Sequence, residues 1–434
     1  MKSVTNLFCI RARLFLAILT CGCALAAPAL ADEQAANAGS QGGAQAAPAS
    51  EKPEESASAG ELTGDRGGVR DQLEKKGITF GLSWIGETFR NFEGGKDTAD
   101  TVVASTADLN FALDTGKAFN WPGGKFYVDL EDHAGQNPSD VLTGDLQLFD
   151  KLNSPPCFQV FELYCQQKLF GDTLRLKVGK VDANTEFSVI DNGLDFIDSS
   201  AQVSPTVLAF PTTPVPLPGA NVFFTPIDCF FASFGAYLAN QTDRFLDFSG
   251  SPSNFQPTRN GMFFIGETGL KWAHSPVLQY DGNLKLGFWG HTGTFDRFDG
   301  GTQKGAEGFY AILDQTLWKP AGAKNDDPRG VRTFLEFGGT DPAVSTIYRH
   351  VGGGVAWKGF LPERPDDSIG FSPECAFLSH QAGLPHPYEL IMEAFYKMKL
   401  TGWAALQPDV QYISHPGGVY SDALVGTLQL SVQF

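Results

Sequence analysis

Arg175, Lys177, Arg332, Glu336 and Glu393 each fall in the polar phase of a two-residue alternation whose other phase is aliphatic or aromatic, and so do Asp108, Asp129 and Glu131. Alternate side chains of an extended strand leave on opposite faces, so each run presents one charged face and one greasy face. Cations and carboxylates fixed on one surface set up a field across it and form paired hydrogen bonds with a polar solute. Trp289 and Tyr127 share the polar phase, where a ring offers a stacking face. The alternative for the charges is simple balancing between neighbouring strands, and for the two rings ordinary wall packing. The chemistry open to such a surface is non-covalent recognition of small polar molecules. Covalent or metal chemistry finds no support: there is no G-x-S-x-G elbow and no H-E-x-x-H, and the seven histidines are scattered.

The elements that must position these residues are long strands. Runs at Ile78 to Trp84, Leu109 to Leu113, Phe126 to Leu130, Leu174 to Val178, Leu284 to Phe288, Val331 to Phe337 and Leu390 to Tyr396 alternate with period two. Many extend to the roughly nine to eleven residues that a tilted strand needs to cross a bilayer. Beyond the N-terminus no apolar run is long enough to cross as a helix, and only 42% of the chain is hydrophobic. A membrane protein of this composition crosses as strands, one face toward lipid and the other toward a watery lumen. The final segment is the clearest case: Leu424, Gly426, Leu428, Leu430, Val432 and Phe434 oppose Ala423, Val425, Thr427, Gln429, Ser431 and Gln433. In water such an edge would invite aggregation, and closure into a barrel removes it.

Strands are expected to begin near residues 78, 103, 125, 160, 174, 219, 229, 261, 283, 307, 330, 350, 368, 388, 402 and 422. The fold class is therefore all-β: a transmembrane antiparallel β-barrel of about 16 strands, an even number that returns both ends to one side. Short periplasmic turns, as at 170–173 and 400–402, should alternate with longer external loops, as at 91–102, 134–159 and 240–260. The longest connection, roughly 187–218, follows the fifth strand and carries Pro205, Pro211, Pro214, Pro216 and Pro218, which stiffen it.

Ahead of the barrel, Lys2, Arg11 and Arg13 precede an apolar run from Leu14 and the small-residue site Ala29-Leu30-Ala31, so residues 1–31 are expected to be a secretory signal. Residues 32–61 are poor in anything to bury and predict a disordered periplasmic linker. Within 62–77 the stretch VRDQLEKK predicts a short helix stopped by Gly77, and the barrel occupies 78–434. The formal net charge of −17 argues against nucleic acid as a partner. Cys157, Cys165, Cys229 and Cys375 show no metal-ligand spacing. Cys157 and Cys165 either pair, tying a loop to the strand after it, or stay as free thiols.

The segments LTGDRGGVRDQLEKKGITF (Leu62 to Phe80), FELYCQQKLF (Phe161 to Phe170), LRLKVGKVDANTEF (Leu174 to Phe187), GFYAILDQTLW (Gly308 to Trp318) and Tyr388 to Gly418 with DALVGTLQLSVQF (Asp422 to Phe434) resemble the carbohydrate-selective porin family of bacterial outer membranes. Together they span Leu62 to Phe434. One departure is Arg66, where the family pattern usually has Trp. The resemblance implies a 16-stranded outer-membrane channel that admits monosaccharides such as glucose by facilitated diffusion. It implies no enzyme activity, no cofactor and no metal. Its partners would be small sugars, outer-membrane lipid and the barrel-assembly machinery, which the terminal Phe434 would engage, with a homo-oligomer left open. By analogy with general porins, the loop at 187–218 folds into the lumen, the alternative being an outward surface loop. A non-selective general porin is the competing function. Substrate contacts are expected among Arg175, Lys177, Arg332, Glu336, Asp108, Asp129, Glu131, Trp289, Tyr127 and Glu393, and an interfacial girdle at Trp403, Tyr412 and Phe434.

Overall fold

A computed structural model describes residues 62–64, 68–152, 154–239, 261–273, 279–323 and 327–434. The expected signal and linker, Arg66 and the 240–260 connection lie outside the described residues. The chain forms one closed antiparallel barrel in which each strand pairs with its sequence neighbours. Its first half comprises β1 (Ile78–Glu93), β2 (Thr101–Asp114), β3 (Gly124–Gly135), β4 (Cys157–Leu169), β5 (Leu174–Val181), β6 (Leu217–Ile227), β7 (Phe230–Ala239) and β8 (Gly261–Trp272). The second comprises β9 (Gly282–Asp296), β10 (Thr302–Trp318), β11 (Gly330–Thr340), β12 (Ile347–Lys358), β13 (Ser368–Leu378), β14 (Tyr388–Lys399), β15 (Ala404–Ser414) and β16 (Ala423–Gln433). β16 closes on β1, with Trp84 opposite Val432 and Glu87 opposite Gln429.

The expected strand starts miss most where the ladder bulges. β10 begins at Thr302 rather than 307, because a register shift between Lys304 and Ala306 at Gly305 (φ +82) breaks the alternation without breaking the pairing. β12 begins at Ile347 rather than 350, across a shift between Ile347 and Arg349. The expected alternation of loop lengths also fails in the second half: residues 297–301 and 341–346 make tight external connections, while 359–367 makes a longer periplasmic one. That turn is held by Arg364 on Asp367, whose carboxylate also accepts from Tyr396 at 2.6 Å. The described cysteines are free. Cys157 opens β4 and Cys165 lies further along it, roughly 25 Å away at strand rise, so they cannot pair.

α1 (Val69–Lys75) docks at the periplasmic end of the closing seam. Asp71 in its first turn and Lys75 in its last suit the helix dipole. Gly77 (φ +81) ends it, where a Cβ would stand 2.7 Å from the Asp114 carbonyl. Buried Arg70 lies over the Phe80 ring at 4.6 Å and donates to the Phe434 carbonyl at 3.3 Å. Leu62 N–H donates to the Gln433 carbonyl, so the N-terminal segment staples β1 to β16.

The outer wall is apolar: Phe234, Leu270, Phe288, Leu335 and Phe371 are exposed. Near the periplasmic rim Trp318 meets Trp357, Trp357 meets Phe360 and Phe360 meets Tyr396, an aromatic belt of the kind that sits at headgroup level. The hydrophobic core lies inside the barrel. Phe187, Ile190 and Phe196 from residues 182–216 pack against Phe223, Tyr237, Phe263, Trp289, Tyr310, Phe334 and Phe395 of the inner wall. Leu142 and Phe149 from residues 136–156 pack against Phe89, Ile391, Ile413 and Val425.

Candidate functional site: the lumen and its two infolded loops

Both long external connections, 136–156 and 182–216, enter the lumen, and the inner wall catches their backbone with carboxylates. Glu393 on β14 accepts from the Ile197 and Asp198 amides at 2.7 and 2.8 Å, one on each oxygen. Glu267 on β8 accepts from the Ser188 amide at 3.0 Å and the Tyr310 hydroxyl at 2.7 Å. Asp314 on β10 takes the Asn192 amide at 2.8 Å, and Glu162 on β4 takes the Asp182 amide at 3.0 Å. Glu389 on β14 gathers the Leu146, Gln147 and Gly417 amides. A loop cannot enter a barrel with unpaired amides, since each buried orphan costs about 1–3 kcal/mol.

Side-chain ion pairs complete the fastening. Lys397 reaches Asp195 at 2.5 Å, Ser368 donates to the same carboxylate at 3.3 Å, and Lys285 pairs with Asp191 at 2.7 Å. At the start of the third external loop, Glu186 holds Arg175 bidentately at 2.7 and 2.8 Å and Lys177 at 2.8 Å. Burial opposes its ionisation, but Lys177 and Arg175 prevail and hold Glu186 down to about 2. Nearby Asp182 is pushed up to about 7 by burial and by Glu162. The two loops also bond to each other, Lys151 N–H to the Ile197 carbonyl at 2.9 Å.

The bonds of Asp108 and Glu131 instead stay within the wall, where β2 to β5 form a graded lane. Register sets Asp108 beside Glu131, Asp129 beside Glu162, and Tyr127 beside Tyr164. Asp108 accepts from Ser83 at 3.1 Å, and Glu131 pairs with His133 at 2.6 Å. Asp129 Oδ1 is buried with no protein partner. Below the carboxylates Tyr127 and Tyr164 stack at 4.9 Å. Below the rings come Lys125, Gln166, Lys177 and Arg175, with Lys177 over Tyr164 at 4.0 Å and Arg175 over Phe223 at 3.7 Å.

The expected residues thus divide. Arg175, Lys177, Asp108, Asp129, Glu131 and Tyr127 come together in this lane. Glu393 has both oxygens committed to a loop. Trp289 stacks on Phe263 at 6.1 Å in the inner core. Glu336 contacts His350, which lies 3.5 Å from Glu374 on its other side. Arg332 faces the lumen from β11 in the same phase as Phe334 and Glu336 and makes no described ion pair. Glu162 and Tyr164 carried the same alternating signal through FELYCQQKLF, but a register shift between Asp129 and Leu130 hides their alignment. Glu186 and Asp195 sit in irregular backbone, where no periodicity marks them.

A closed barrel with an apolar outer wall, an aromatic belt and a polar lumen narrowed by its own loops is an outer-membrane porin. Residues 100–434 match the carbohydrate-selective porin, OprB family. The chain belongs to that family. It is 25% identical over 430 residues to Porin B of Pseudomonas aeruginosa, covering 86% of this chain and 91% of that protein. Putative porin QuiX of Acinetobacter baylyi is 22% identical over 424 residues, with 86% and 93% covered. The high-pH structure of Pseudomonas putida OprB shares the fold with a TM-score of 0.77 at 22% identity, over 88% of this chain and 100% of that one. The low-pH structure of the same protein gives 0.59 at 20% identity. The chain is an outer-membrane channel for small sugars, not an enzyme.

Proposed function

We propose that monosaccharides such as glucose cross along the β2 to β5 lane, and that Asp108, Asp129, Glu131, Tyr127, Lys177 and Arg175 are its contacts. The observation that carries this reading is the order of chemistry down one wall: acceptors, then a stacked aromatic pair, then donors. A pyranose entering from outside has hydroxyls for the carboxylates, an apolar face for Tyr127 and ring-edge oxygens for the cations. Each contact is modest and several act in series, which favours passage over capture.

Arg332 supplies a second cation on the opposite wall, facing the lumen without a described counter-ion. Glu393 and Trp289 support the channel indirectly, through the loop and inner core they hold, and Glu336 pairs with His350 within the wall. The alternating apolar face of β16 supports recognition by the barrel-assembly machinery.

The test is single-channel recording with glucose as a blocker. Asp129→Ala and Tyr127→Ala should each weaken glucose block roughly fivefold, about one neutral hydrogen bond or stacking contact, with the heat-resistant barrel retained. Unchanged block in both variants would take the pathway off this wall.

A further inference from the structure

The inner wall carries its charges in two tiers. Odd-numbered strands run from the periplasmic end outward and even-numbered strands run back, so height follows from position along the strand. On β11 Glu336 stands above Arg332, and on β3 Asp129 and Glu131 stand above Lys125. On β8 Glu267 stands above Lys271, and on β14 Glu393 stands above Lys397. Going along the chain, base precedes acid on β3 and β11, and acid precedes base on β8 and β14. The order in sequence inverts with strand direction while the order in height does not, so the arrangement belongs to the channel axis.

Local pairing does not cancel the lower tier. Lys358 stands beside Ser368 in register, and Ser368 beside Lys397. Asp195 matches Lys397, Asp191 matches Lys285 and Glu186 matches Arg175 and Lys177, but Lys358 and Arg332 are half-buried and make no described ion pair. Charges that break the pattern are consumed locally: Asp114, at the foot of β2 opposite Lys125, accepts the Gly116 and Lys117 amides. Asp314, low on β10, lies 3.7 Å from Lys285, and Lys180, high on β5, donates to Gln159 Oε1 and the Val160 carbonyl. In the upper tier Glu393 accepts an amide on each oxygen.

We propose that the channel is a bipolar rectifier for small inorganic ions, acidic toward the outside and basic toward the periplasm. When the external side is positive, cations enter through the acidic tier and anions through the basic tier, so both accumulate and current is large. Under the opposite bias each ion must enter through the tier of its own sign, and the lumen is depleted. A neutral solute feels neither effect, so the inference rests on the chain forming a pore and not on its preference for sugars.

The experiment is single-channel recording of the full chain in KCl, with orientation marked by attaching a polymer maleimide to Cys229, which is exposed in the periplasmic turn between β6 and β7. In about 0.1 M KCl the current should be at least about 1.5-fold larger with the external side positive, and the ratio should approach one in about 1 M KCl, where the Debye length is near 3 Å. Arg332→Gln combined with Lys358→Gln should bring the low-salt ratio toward one. Equal currents at low salt, a larger current with the periplasmic side positive, or a ratio that persists in high salt would each overturn the proposal. Rectification untouched in a folded double variant would overturn it too.

Discussion

Lumen-facing charges in this barrel fasten the loops, face the solute path or, like Arg175 and Lys177 beside Glu186, do both. Glu393 points inward like Asp129, yet its oxygens meet two loop amides, whereas Asp129 keeps one oxygen without a protein partner. Glu393→Ala strands two buried N–H groups at about 1–3 kcal/mol each, enough to free a segment of the third loop. The expected result is a larger and noisier single-channel conductance with the barrel still heat-resistant. Glu186 shows how firmly the charges lock. Its carboxyl is depressed from an ordinary 4.5 to about 2, so its contribution to stability is present above the unfolded value and lost only as pH falls through about 2. Conductance should therefore keep the same loop-closed level from pH 7 to about pH 4 as far as this anchor is concerned. Glu186→Gln, which weakens the pairing with Arg175 and Lys177, should raise it even at pH 7.

At the scale of elements, the third external loop behaves as a folded insert with its own core. Phe196 meets Phe334 edge-on at 5.7 Å and Phe395 at 4.9 Å, each on a different strand. Removing a buried Phe costs about 3–5 kcal/mol, which here falls on the loop rather than on the ladder. Phe196→Ala should make residues 182–216 cleavable by protease added outside, with the barrel band unchanged. The strands themselves were legible from alternation, since lipid on one face and polar groups on the other impose period two. What escaped was whatever alternation does not encode. Bulges at Gly305 and between Ile347 and Arg349 shift phase without ending a strand. The inner aromatics Phe334 and Phe395 read as polar-phase oddities because their partners come from a loop more than a hundred residues away in sequence. The anchors Glu186, Asp191 and Asp195 lie outside the strands, so only the structure places them against Arg175, Lys285 and Lys397.

For the molecule as a whole, closure and passage are separate problems solved by separate surfaces. The seam between β1 and β16 is sealed by its ladder and stapled by α1, through Arg70 on the Phe434 carbonyl and over Phe80. Arg70→Ala should lower the temperature at which the barrel band disappears in a gel shift assay while leaving open-channel conductance within about a tenth of the parent, because α1 stands at the rim. The aliphatic and aromatic outer wall meets lipid, and the wall of β2 to β5 meets solute. A pore lined at one level by acceptors, at the next by stacked rings and below that by donors suits a neutral polyhydroxylated ring better than a zwitterion of equal size. The most direct measurement is the swelling rate of liposomes holding the purified channel in isosmotic glucose, a similarly sized amino acid and a disaccharide. Glucose should enter several-fold faster than the amino acid, and the disaccharide slowest. Equal rates for glucose and the amino acid would contradict sugar selectivity and leave a general pore.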